Sequence, residues 1–71
     1  MNERTSARID KCNAIGMRLS FNTGGPWGYV TDALPAGHLD STDIICMDDE
    51  EFNKVIEVFD TAIKAQKAKQ Q

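Results

Sequence analysis

The stretch MRLSFNTGGPWGYVTD, residues 17–32, decides how this chain is read. Met17, Leu19 and Phe21 alternate with Arg18, Ser20 and Asn22, the two-residue repeat of a half-buried strand. From Trp27 to Asp32 aromatic and β-branched residues give the same period again. Thr23, Gly24, Gly25 and Pro26 lie between as turn residues: the glycines are expected to supply positive φ, while Pro26 fixes its own φ and biases Gly25 toward extended backbone. The segment is therefore a hairpin. Its alternation puts Trp27 and Tyr29 on one face with Thr31, and Val30 on the other. A small core needs large side chains, so both aromatics are predicted to face inward with Met17, Leu19 and Phe21. Facing outward, they would anchor a binding or dimer patch.

The glycines also invite a ligand-loop reading, which the residues do not support. A phosphate loop of the GxxxxGK[ST] kind needs a lysine and a following helix, and the dinucleotide fingerprint GxGxxG opens a helix. No lysine occurs between Lys11 and Lys54, and a strand follows the glycines.

Working toward the N-terminus, Ile9, Cys12 and Ile15 recur at helical spacing after a cap at Thr5 or Ser6, and Gly16 offers the left-handed stop. Toward the C-terminus, ALPAGHLDST (residues 33–42) reads as a connection because of Pro35, Gly37 and its small polar residues. DIIC (residues 43–46), extended by Met47, reads as a short buried third strand. The last helix is the plainest element. Asp48 or Asp49 caps it, Glu50 and Glu51 occupy its first turn, and Lys64, Lys67 and Lys69 lie toward its end, matching the helix dipole. Phe52, Val55, Ile56, Phe59 and Ile63 form an apolar stripe, widened by Val58 and Ala62.

The order α-β-β-β-α predicts an α+β two-layer sandwich: a small antiparallel three-stranded sheet with two helices on one face and the other face open. The 71 residues form one domain, with residues 1–4 and 65–71 expected to fray. Double-stranded-RNA-binding domains share this element order, but Asp48, Asp49, Glu50 and Glu51 stand where their last helix begins with lysines, and their basic loop is lacking. The chain is not assigned to that family.

Composition narrows the function. A hydrophobic content of 41% with 27% charged residues is that of a folding, soluble domain. No apolar run reaches the roughly 20 residues a membrane helix needs, and MNERTSARIDK lacks the apolar region of an export signal, so the cytoplasm is expected. There Cys12 and Cys46 remain free thiols. His38 is the only histidine, and no CxxC or HxxxH spacing accompanies it, so neither a metal nor another cofactor is expected. Nothing in the sequence sets Cys12 or Cys46 beside His38 as a nucleophile and base, and no catalytic activity is expected.

Charge is unevenly placed. Residues 1–18 carry Arg4, Arg8, Lys11 and Arg18 against Glu3 and Asp10, for +2, and residues 64–71 carry three lysines, for +3. Residues 19–63 hold nine acids against Lys54 alone, for −8. Asp40, Asp43, Asp48, Asp49, Glu50 and Glu51 form the candidate docking surface for a protein with a basic face, with Trp27 and Tyr29 as candidate anchors. The expected function is that of a small stand-alone protein-binding regulator or inhibitor, of the kind that phages and mobile elements encode. Two alternatives remain open: nucleic-acid binding through Arg4, Arg8 and Lys11 on one side of the first helix, and a homodimer subunit.

Overall fold

The computed structural model describes residues 2–22, 25–35 and 37–69. Helix α1 (Glu3–Ala14) leads into strands β1 (Arg18–Ser20), β2 (Gly28–Thr31) and β3 (Gly37–Asp40), followed by helices α2 (Ser41–Cys46) and α3 (Asp49–Lys69). The strands form one antiparallel sheet in the order β1-β2-β3. The fold is α+β, with an additional short helix before the last one.

Helix α1 begins earlier than the sequence suggests. Asn2, not Thr5 or Ser6, is the cap, and its side chain accepts a hydrogen bond from the Thr5 amide at 2.8 Å. The helix ends as predicted at Gly16. The Met17 amide donates to the Cys12 carbonyl and the Gly16 amide to the Asn13 carbonyl, both at 3.1 Å, with Gly16 at φ +97°. This double closure needs a left-handed residue at Gly16, and it delivers Cys12 and Met17 together into the core.

The third strand lies elsewhere than predicted. Residues 43–46 are helical, and β3 comes from GHLD in the stretch read as a connection. Capping explains the difference. Asp40 accepts a hydrogen bond from the Asp43 amide at 2.9 Å while the Asp43 carboxylate accepts one from the Asp40 amide at 3.3 Å, a reciprocal box that starts α2 at Ser41. A strand at Ile44 and Ile45 would have to give up both bonds. Leu39 alone supplies the inward apolar residue that β3 needs, opposite Tyr29 in the register.

Cross-strand pairing sets Leu19, Tyr29 and Leu39 on one face of the sheet and Arg18, Val30 and His38 on the other. The first face meets the helices. Tyr29 and Leu39 join Cys12 of α1, Ile44 of α2 and Phe52, Phe59 and Ile63 of α3, with Met17, in a single core. The second face is open, with Arg18 and His38 exposed.

Gly37 owes its identity to packing. A Cβ there would come within 3.0 Å of both Leu34 Cβ and the Phe59 ring, so the missing side chain is what lets α3 lie on the start of β3. Gly25 does not take positive φ. A Cβ on it would lie 2.8 Å from Ser41 Oγ, so this glycine lets the turn approach the start of α2, close to where the Ser41 amide donates to the Trp27 carbonyl at 2.9 Å. Gly24 lies outside the described residues.

Candidate functional site

Three groups of residues carry the functional expectations: the acids, the basic first helix and the hairpin aromatics. The structure largely uses the first two against each other. Arg8, on the face of α1 that turns to the core, is only 4% exposed. Its guanidinium donates to the Ile44 carbonyl at 2.8 Å and to Asp49 Oδ1 at 2.7 Å, and lies 4.6 Å from the centroid of the Phe52 ring. Arg4 adds a hydrogen bond to Asp49 Oδ1 at 3.2 Å and another to the Met47 carbonyl at 2.8 Å. Lys11 donates to Asn53 Oδ1 at 3.0 Å. The side of α1 read as a nucleic-acid contact is thus turned onto the α2–α3 junction. There the two arginines satisfy carbonyls at the end of α2 and hold a carboxylate at the start of α3. Arg8, first, and Arg4 beside it keep the Asp49 carboxyl below the usual carboxylate range.

The candidate acids divide by the local contacts they make. Asp40 and Asp43 form the capping box of α2, and both are half-buried. Asp48 caps α3 by accepting a hydrogen bond from the Glu51 amide at 2.8 Å. Asp49 is held by the arginines, and Glu50 lies 3.6 Å from Lys54 one helical turn on. Asp48, Glu50 and Glu51 remain exposed together around a shallow depression shared with Lys54. Half of the six-residue cluster is local backbone chemistry.

The aromatics divide. Tyr29 is 3% exposed and sits in the core facing the helices, so it is not a surface anchor. Trp27 is half-buried, packed edge-on to Tyr29 with the ring centroids 6.5 Å apart. The residues expected to accompany them inward do not all follow. Met17 is buried, but Leu19 is 52% and Phe21 69% exposed. Strand β1 is an edge strand of three residues, and the helices cover the sheet over β2 and β3. Carrying the register one step past Ser20 and Gly28 sets Phe21 opposite Trp27. Leu19, Phe21 and Trp27 thereby make an apolar border along the β1 edge, which the alternation of residues 17–21 signalled as apolar without saying that Leu19 and Phe21 are left exposed.

Cys12 is buried, and burial pushes its thiol up to about 11, whereas Cys46 is exposed on α2. Among the described residues no group of three or more His, Cys, Asp or Glu side chains is placed to hold a metal ion. No described helix is long and apolar enough to cross a membrane.

The fold and this edge define a small α+β domain with an uncovered apolar sheet border. No protein-family model, curated protein or solved structure matches the chain.

Proposed function

We propose that this chain is a protein-binding domain that recognises its partner at the β1 edge, through Leu19, Phe21 and Trp27, and acts as a regulator or inhibitor of that partner. The observation that supports this reading is the exposure of two large apolar side chains, Leu19 on the edge strand β1 and Phe21 just past its end, where the outer backbone groups have no neighbouring strand in the sheet. An edge strand offers main-chain hydrogen bonds to an extended segment, and alternate side chains supply the specificity. The exposed acids Asp48, Glu50 and Glu51 serve in this scheme to steer encounter with a basic partner rather than to fix it.

The test is affinity capture from the native host with the wild-type chain, Phe21→Asp and a Asp48→Lys, Glu50→Lys, Glu51→Lys triple variant. Loss of the captured protein with Phe21→Asp, and retention with slower, salt-sensitive binding for the triple variant, is expected. Undiminished capture by a folded Phe21→Asp chain overturns the edge as the recognition surface.

A further inference from the structure

Helix α3 carries a second apolar stripe beside the buried one, joined to it at Val55, which is partly buried against the core. Val55, Val58, Ala62 and Ala65 follow the spacing i, i+3, i+7, i+10, the a and d positions of a heptad, whereas the buried residues Phe52, Phe59 and Ile63 lie to one side of it. Val58 is 58% exposed and Ala65 is exposed. Val58, Ala62 and Ala65 line an open hollow of about 640 Å³ with Leu34, and Val55 borders a smaller one of about 350 Å³ with Val58 and Phe59.

The charges on α3 change sign along its length. Its first part, to Asp60, holds Asp49, Glu50, Glu51, Glu57 and Asp60 against Lys54; its last part holds Lys64, Lys67 and Lys69 with no acid. A partner of a single charge sign would meet repulsion at one end. A helix with the same sequence running the other way meets opposite charge at both ends, and its dipole is opposed as well.

We infer that α3 is a self-association face and that its occupant is a second copy of this chain, docked antiparallel about a two-fold axis near the level of Asp60. In that arrangement Val55 stands opposite Ala65 of the second copy and Val58 opposite Ala62. Every layer then pairs a larger with a smaller side chain, and the alanines admit a close helix approach. Glu57 falls at the level of Lys64 of the second copy, Thr61 lies near its own symmetry mate, and Lys54, on the same flank, is paired with Glu50 of its own helix at 3.6 Å. Asp60, at the axis, takes a heptad position off the seam and is paired with Lys64 of its own helix at 3.2 Å. A chain this short gains more from such a contact than a large domain does, since a core of this size leaves it marginally stable alone.

Sedimentation equilibrium of the full chain over a concentration series tests this, with circular dichroism confirming the fold of each variant. The wild-type chain is expected to approach twice the chain mass. Val58→Glu and Glu57→Lys are each expected to weaken association about tenfold or more, and Glu57→Lys with Lys64→Glu to recover most of the loss. A monomer at every concentration overturns the inference. So does a dimer that Val58→Glu leaves intact, a charge swap that recovers nothing, or a dimer that only Phe21→Asp dissociates.

Discussion

Replacing Arg8 by methionine keeps an unbranched apolar stem and removes the guanidinium with its charge and donors. Two of its contacts lie inside the protein: the Ile44 carbonyl at 2.8 Å and the Phe52 ring at 4.6 Å. The third, Asp49, is 77% exposed, so its carboxylate returns to water at little cost when Arg8 is lost. The loss therefore concentrates on an orphaned carbonyl near the end of α2, for which an unsatisfied buried group costs about 1–3 kcal/mol. The ring contact, buried on both sides, adds about 1–2 kcal/mol. Recovering the desolvation of a buried cation offsets part of this, leaving a net loss of about 2 kcal/mol. In a domain of this size that corresponds to a fall in Tm of about 10 °C. Urea unfolding at one fixed chain concentration, followed by circular dichroism and Trp27 fluorescence, measures it. Asp49→Asn in the same assay at neutral pH should cost clearly less. An Arg8→Met chain within about 0.5 kcal/mol of wild type, or an Asp49→Asn chain as damaged as Arg8→Met, refutes the assignment of the energy to the buried contacts.

Other expectations follow from single residues. Gly37→Ala forces a methyl group to within 3.0 Å of Leu34 and Phe59 and should destabilise the fold by about 1–3 kcal/mol, measured by the same denaturation. Gly16→Ala, at φ +97°, should cost about 1–2 kcal/mol through the left-handed backbone alone, with the same core contacts retained. In the folded protein only Cys46 should react rapidly with a thiol reagent, and Cys12 should react on unfolding; two fast thiols in the native state would contradict the burial of Cys12. The Asp49 carboxyl titrates lower in the folded chain than in the unfolded one, so its contribution is complete above the unfolded value near 3.8 and is lost as pH falls through the lower folded value. Asp49→Asn should flatten acid unfolding in that window, with its deficit against wild type largest between pH 6 and 8 and vanishing below the folded value, as read from Tm against pH.

The hairpin, the stop at Gly16 and the last helix were legible because each is written locally, in alternation, in a left-handed glycine and in helical spacing with matched end charges. The position of the third strand was not. Asp40 and Asp43 looked like acids of a docking surface, and their spacing is equally that of a capping box, which turned the β-rich Ile44 and Ile45 into a helix. Arg8 was misread for a related reason. Its sequence neighbours place it on a basic side of α1, and only the arrival of α2 and α3, some 40 residues later, makes that side an interior one. The same holds for the β1 edge: alternation marks Leu19 and Phe21 as apolar, but whether a helix reaches far enough to cover them depends on where α1 and α3 cross the sheet. On α3 the reading joined Val58 to the buried stripe. The helix instead buries Phe52, Phe59 and Ile63 and leaves Val58 outside.

Strand β3 passes into α2 at Asp40 with no intervening residue. Asp40 is at once a rung of the sheet, opposite Gly28, and the cap of the helix, and the next residue is tied back to the Trp27 carbonyl. The chain has no slack there. An inserted residue between Asp40 and Ser41 would part the capping box and the tether to Trp27 in one step, whereas the turn at Met47 and Asp48 joins two helices without belonging to the sheet. Length variation in descendants of this chain is expected to be purged at the junction of Asp40 and Ser41, so that Asp40 acts as a fixed point shared by the sheet and the helix.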